Sequence, residues 1–300
     1  MPPLDGSADP TALTAAVFTN GFRPLQAAAR ATGHLTHPFR HDALPFGAGG
    51  PRSAETFLVA SRLRRRDAEF EASVGLFLSE VGSGIGALVD ETVDDDGAIP
   101  LPPVAPLPMT LGTALADRRS VRSFTGEPIR LRDLAALAHA AAGTTSPDPH
   151  RPFRTTASAG ALFPVRLDVV ALRVTGVPRG VYTYDSRRHA LSPRGDGAAV
   201  DGVLDAMAVS RELLMWDRAA VLCLLVARPW RSMRKYGARG MRHLLLEAGA
   251  MAAHLDLAAT AIGLGSVPCS SVYDDEAHEA LGMDGVNEAI VHVVVIGAKE

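Results

Sequence analysis

The chain has 300 residues, 47% of them hydrophobic and 21% charged, with a formal net charge of −3. So much apolar material can bury one large core or two modest ones, and the near-neutral balance gives no electrostatic reason to expect nucleic acid or an anionic membrane as partner. Basic charge is nearly all arginine, and the only lysines are Lys235 and Lys299.

The first ten residues lack a basic stretch followed by a long apolar run, so no secretory signal is read there. No apolar run approaches the roughly 18–20 residues that span a bilayer, and a cytoplasmic protein is expected. Residues 1–100 are uneven, with apolar helical patches at 12–18, 24–31, 54–64 and 70–78 between Gly/Pro-rich loops. Gly82-Ser-Gly-Ile-Gly-Ala87 fits the loose GxGxxA dinucleotide pattern. A βαβ unit would continue into a helix and a second strand over about 30 residues. Here the chain enters an acidic run at 90–96 instead, so no Rossmann site is expected. Residues 99–108 carry five prolines in ten positions, which forces an extended strap or semi-rigid linker. A domain boundary is placed after Pro108. It separates an N-terminal helical extension and strap (1–108) from a second domain (109–300).

Beyond Pro108 the signals are cleaner. Thr110 or Thr113 can cap a short helix running to Arg118. Residues 131–142 have helical apolar spacing and stop at Gly143. Runs at 166–174 and 219–227 are β-branched-rich and of strand length. Residues 180–184 and 189–192 read as a hairpin around Asp185. Residues 242–262 form a long apolar helix ended by Gly263 and Gly265, and 289–296 is a last strand. Interleaved helices and few strands indicate α+β or α/β, and pattern alone does not choose the topology.

Four segments carry possible chemistry, each with a plainer role beside it. Arg118-Arg-Ser-Val-Arg122 offers bidentate guanidiniums and a hydroxyl suited to an anion such as phosphate; it would equally make a solvated basic turn. Thr155-Thr-Ala-Ser-Ala-Gly-Ala-Leu-Phe-Pro164 has small residues that admit a flat ligand to the backbone, with Ser158 as a hydrogen-bonding group, or is simply a loop feeding the next strand. In Arg234-Lys-Tyr-Gly-Ala-Arg-Gly-Met-Arg242, followed by Leu244-Leu-Leu-Glu-Ala-Gly249, one of the two lysines stands beside a tyrosine in a glycine-containing loop. A desolvated lysine can act as a base with tyrosine sharing the proton, which arginine cannot do. By chance a lysine must also fall somewhere. Gly263-Leu-Gly-Ser-Val-Pro-Cys269 is a glycine-rich turn able to lie over a ring system, or a helix C-cap. The two cysteines and ten histidines show no metal-ligand spacing, so no metal site is expected. His243 and His254 are read as packed or capping residues.

The order of these segments resembles the SagB-type dehydrogenases, a branch of the FMN-dependent nitroreductase superfamily. The carriers are RRSVRxF, SAGALxP, GVYxYD, KYGxRGxRxxLLEAG, the GLG turn and a final strand, over about 105–300. The resemblance implies an α+β nitroreductase-like fold: a mixed, mostly antiparallel sheet flanked by helices, in an obligate homodimer with two FMN molecules held by both subunits. It implies that Arg118, Arg119, Ser120 and Arg122 hold the phosphate, ribityl chain and pyrimidine edge. Ser158, Ala159 and Gly160 would line the flavin from the partner chain, and Val267, Pro268 and Cys269 would cover its other edge. Lys235 and Tyr236 match the pair used for oxidation, and Arg242 matches a recurring basic position. Only Lys299 is available for a phosphate contact that relatives make near the C-terminus, and Phe163 stands where a tyrosine is commoner. The implied reaction is oxidation of azoline rings in a peptide to thiazole or oxazole, with hydride passing to flavin and oxygen reoxidising it. A cyclodehydratase or other biosynthetic enzyme would be the partner, and 1–108 would dock that enzyme or the leader of the peptide. Two other readings stand: an NAD(P)H-dependent reductase of quinones, nitro compounds or dehydroamino acids, and a non-catalytic FMN-binding scaffold subunit.

Overall fold

The computed structural model describes residues 57–63, 68–82, 97–146 and 153–300. The helical patches expected at 12–18 and 24–31, the acidic run and nearly all of the 82–87 glycine motif lie outside them. Contacts divide the chain into Met1–Ala60 and Ser61–Glu300. Of the first unit only 57–60 are described; everything below concerns the second.

Its centre is a seven-stranded antiparallel sheet ordered β1-β6-β5-β3-β7-β9-β8. These strands are β1 (Ile99–Pro100), β3 (Val165–Ala171), β5 (Gly180–Asp185), β6 (Ala190–Gly195), β7 (Val221–Ala227), β8 (Gly265–Cys269) and β9 (Ala289–Gly297). β2 (Ile129–Arg130) and β4 (Val174–Thr175) form a separate parallel pair. The helices are α1 (Ala68–Gly82), α2 (Leu111–Asp117), α3 (Leu131–Ala142), α4 (Gly197–Asp205), α5 (Pro229–Tyr236), α6 (Arg239–Ala261) and α7 (Asp274–Ala280).

β7 shows why the sequence makes a sheet covered on both faces. All of its residues are buried, and successive side chains point to opposite faces. Val221, Cys223, Leu225 and Ala227 join the core under α3 and α6. Leu222, Leu224 and Val226 join the core with α4 and α7. A strand sandwiched this way reads as a continuous apolar run. Burial pushes the Cys223 thiol up to about 12, so it is a packing group and not a nucleophile.

α6 corrects one expectation. By length and composition it is apolar enough to cross a bilayer. Its buried face, Leu244, Ala248, Met251, Leu255 and Ala259, recurs at helical spacing and packs into the sheet core.

The proline-rich strap belongs to this unit. β1 pairs with β6, the Leu101 amide donates to the His189 carbonyl at 2.9 Å, and His189 Nε2 meets the Pro102 carbonyl at 3.0 Å. Proline suits this edge strand, where no partner needs its missing N–H. The compact unit therefore reaches back past the expected boundary at Pro108 to Ser61.

Two local expectations change. Residues 265–269, read as a turn, form edge strand β8 against β9, and the helix ends at Gly263 with φ 81°. Lys235 and Tyr236, placed in a loop, end helix α5. Pro229 starts α5 and Gly237, at φ 52°, stops it.

Candidate functional site

The predicted site residues gather at two places. The first is the loop 158–163 and the end of α5. Gly160, Ala161 and Phe163 have positive φ of 64°, 54° and 45°, a conformation that strains non-glycine residues. Several bonds hold it. Ser158 Oγ accepts from the Phe163 amide at 2.9 Å, the Ala161 amide donates to the Ser158 carbonyl at 3.1 Å, and Arg228 Nη2 donates to the Phe163 carbonyl at 3.3 Å. The Arg154 guanidinium lies 4.3 Å from the Phe163 ring centroid.

Lys235 and Tyr236 close over this loop. A Cβ added at Gly160 would stand 2.7 Å from Tyr236 Oη and 2.9 Å from Lys235 Nζ. Both polar tips thus converge on one exposed glycine, and no larger residue fits without displacing them. Two features that the sequence left unassigned complete the surround. Phe77 of α1 has its ring centroid 5.1 Å from Lys235 Nζ, and Phe70 stacks on Tyr236 at 6.4 Å. Ser73 Oγ donates to the Arg234 carbonyl at 2.9 Å. His243 meets the Tyr236 ring edge-on at 5.0 Å; its burial, with the nearby Arg239 charge, lowers its proton affinity. Phe70 and Phe77 lay within an expected helix, but which face meets Lys235 depends on a contact some 160 positions away in sequence. Arg242 turns elsewhere, donating from Nε to Ser61 Oγ at 2.7 Å.

The second place is the loop 118–122 beside β8. Thr110 caps α2, accepting from the Thr113 amide at 3.2 Å, and the Arg118 amide closes the helix on the Ala114 carbonyl at 3.0 Å. Ser120 bridges Ser266, and the Val121 amide donates to the Ser266 carbonyl at 2.9 Å. Gly265 is pinned there, since a Cβ would come within 2.7 Å of Val121. Lys299 bridges Phe124, bringing the C-terminus to the same place. Ser120 and Arg122 expose their side chains and Arg118 is half-buried. Arg119 is directed back to its own backbone, donating to the Ala116 and Arg118 carbonyls at 2.7 and 2.8 Å. Buried Asp256 lies near; burial raises its proton affinity, against Ser266, Arg118 and His292.

Register separates the two places. Val165, which follows the first loop, aligns through Ala227 with Ala289. Ser266, beside the second, aligns through Ile296 and Val221 with Ala171. β3 spans seven residues between those ends, about 20 Å at 3.3–3.4 Å per residue. Val267–Cys269 run along β8 from the second place toward mid-sheet, with Val267 and Cys269 buried and Pro268 exposed.

A family model described as "Nitroreductase family" matches residues 115–298. A candidate nitroreductase of Methanocaldococcus jannaschii is 36% identical over 172 residues, which is 57% of this chain and 83% of that protein. The crystal structure of a candidate nitroreductase from Ralstonia eutropha JMP134 superposes with TM-score 0.57 at 25% identity, covering 71% of this chain and 93% of the other. A chain of the E. coli microcin synthetase McbBCD complex with truncated pro-MccB17 bound superposes with TM-score 0.53, covering 98% of this chain and 99% of its own length. At 17% identity, it speaks to fold alone.

Proposed function

The chain belongs to the nitroreductase family, and we propose that within it this protein is an FMN-dependent dehydrogenase oxidising azoline rings of a peptide to azoles, of the SagB type. The observation that carries this reading is the convergence of Lys235 Nζ and Tyr236 Oη on Gly160. A reductase needs no such base, whereas aromatising an azoline requires loss of a proton from the ring carbon beside the carbonyl. On this reading Lys235 takes that proton, with Tyr236 sharing it. When bound, FMN supplies the two-electron acceptor.

The residues fit that cofactor in two parts. Arg118, Ser120 and Arg122 form a donor set for its phosphate, and Lys299 lies near enough in the fold to join them. Ser158, Ala159 and Gly160 offer a small-residue platform for its ring, with Val267, Pro268 and Cys269 as the opposing edge. One chain holds these parts about 20 Å apart along the sheet, which supports a homodimer in which each flavin is held by both subunits. A peptide substrate and a cyclodehydratase partner agree with the microcin synthetase neighbour, which is itself part of a complex. Within 1–108, the part before Ser61 is the proposed docking region for either.

Purified protein is expected to be yellow and to release FMN on denaturation. Oxygen consumption with an azoline peptide, and no NADPH consumption with a quinone, is the expected pattern. The reverse pattern would establish the reductase reading, which the name of the M. jannaschii relative favours. Bound flavin with neither activity would leave the scaffold role.

A further inference from the structure

We infer that Glu247 is a positioning residue for the Lys235–Tyr236 pair, setting the loop 158–163 against it through Ser158 and Val165. This rests on the reading of that pair as the base. Glu247 lies on α6 and is 5% exposed. Its Oε1 accepts from the Val165 amide at 3.4 Å, and the Ser158 hydroxyl favours the charged form of the same carboxylate. Ser158 in turn holds the Phe163 amide at 2.9 Å. These contacts grip both ends of the strained turn that presents Gly160 to Lys235 Nζ and Tyr236 Oη.

Glu247 Oε2 is buried and has no hydrogen-bond partner among the described residues. A buried carboxylate with one naked oxygen is costly as an anion. Burial accordingly raises its proton affinity to about 7, against the pull of Ser158, the Val165 amide, Arg154 and Arg231. The other charged or titratable groups around it are Arg228 on the Phe163 carbonyl, Lys235 and Tyr236 across Gly160, and His243 one turn earlier on α6. Glu247 therefore changes charge near neutral pH. The pull on Ser158 tightens as it ionises, and the loop passes that change to Gly160 and the pair.

The chain has only two lysines, which makes Lys235 readable directly. Reductive methylation with 13C-formaldehyde labels Lys235, Lys299 and the N-terminal amine of the flavin-loaded protein, and Lys299→Arg assigns the signals. The Lys235 resonance is expected to carry an inflection near pH 7 that disappears in Glu247→Gln. In Ser158→Ala, where the link to the loop is cut, it should shrink at least twofold. Flavin content of Glu247→Gln should stay within about twofold of the parent, and the Ser158→Ala and Lys299→Arg proteins are read at saturating FMN. An inflection absent from the parent, or kept in Glu247→Gln, would overturn the inference. One kept at full size in Ser158→Ala would overturn transmission through the loop and leave a through-space field. No substrate is present, so a protein that shows the expected shifts yet ignores azoline peptides loses the proposed substrate and keeps the role of Glu247.

Discussion

The two ends of the central sheet are built in opposite ways. At the Ser120–Ser266 end, exposed side chains are presented by short local elements, and nothing described in the same chain closes over Ser120 and Arg122. At the Gly160 end, three positive-φ residues, a buried carboxylate, and a lysine and tyrosine from a separate helix are assembled tightly by contacts within the chain. An open cluster of cations suits holding an anion, whose phosphate tolerates several geometries. A preassembled, strained pocket suits moving a proton, where displacements of an ångström matter. The proposed function gives binding to one end and chemistry to the other, and substitutions at each end should separate the two.

The largest effect is expected for Lys235→Ala. Removal of a general base should lower azoline oxidation by roughly 10²–10⁴-fold while leaving FMN bound. Parental turnover in this variant would remove the chemical role from this end. Next are Arg118→Ala and Arg122→Ala. Each should weaken FMN about ten- to a hundredfold, as expected for a lost charge-assisted bond of roughly 1.5–3 kcal/mol, with turnover near parental once flavin saturates. Arg119→Ala should change FMN affinity less than about twofold, because its guanidinium is spent on its own backbone. Fluorescence titration of apoprotein with FMN measures all three. An Arg119 effect as large as that of Arg122 would show that bound flavin reorganises the loop.

The same contrast explains how much of the molecule was legible in the sequence. Local signals served well. Thr110 as a cap, the 131–142 helix, the hairpin around Asp185 and the last strand all appear where spacing and turn chemistry place them. The runs around β3 and β7 were recognisable as strands because two-sided burial leaves no polar alternation. Non-local geometry was hidden. Gly265 and Pro268 read as turn residues, but pairing with β9 makes their segment an edge strand. Glu247 was visible within its motif, yet nothing in the sequence shows that it grips the loop 158–163 some 85 positions earlier. The elements were thus written in periodicity, and the fold that joins them only in the order of motifs. The buried supports of the candidate site appear only once the strands are aligned.

Glu247 also gives the preassembled end a pH signature in stability. Its proton affinity is raised on folding from 4.5 to about 7. Between those values the folded state holds a proton that the unfolded chain has released, so this contribution is full below about pH 4.5 and is lost as pH rises through 7. The parent should lose on the order of 1–3 kcal/mol from this group across that window, whereas Glu247→Gln should not. Denaturant melts of both proteins at pH 5 and pH 7.5 measure the difference. Parallel pH dependence would mean that Glu247 is not held neutral, and the preassembled end would lose its buried anchor.

The smallest effect sharpens the boundary of that end. Phe77 lies 5.1 Å from Lys235 Nζ, a cation–π distance worth about 0.5–1 kcal/mol at a partly exposed site. Phe77→Leu keeps most of the apolar volume and removes the ring face. It should cost about that much in the parent and much less in a Lys235→Met background, where no cation remains to lose. A double-mutant cycle on stability isolates the term. If Phe77→Leu costs the same in both backgrounds, α1 packs against α5 by shape alone. If the coupling appears, the helix that precedes the proline strap contributes directly to the orientation of the lysine, and the chemical end of the molecule begins at residue 68 and not at residue 109.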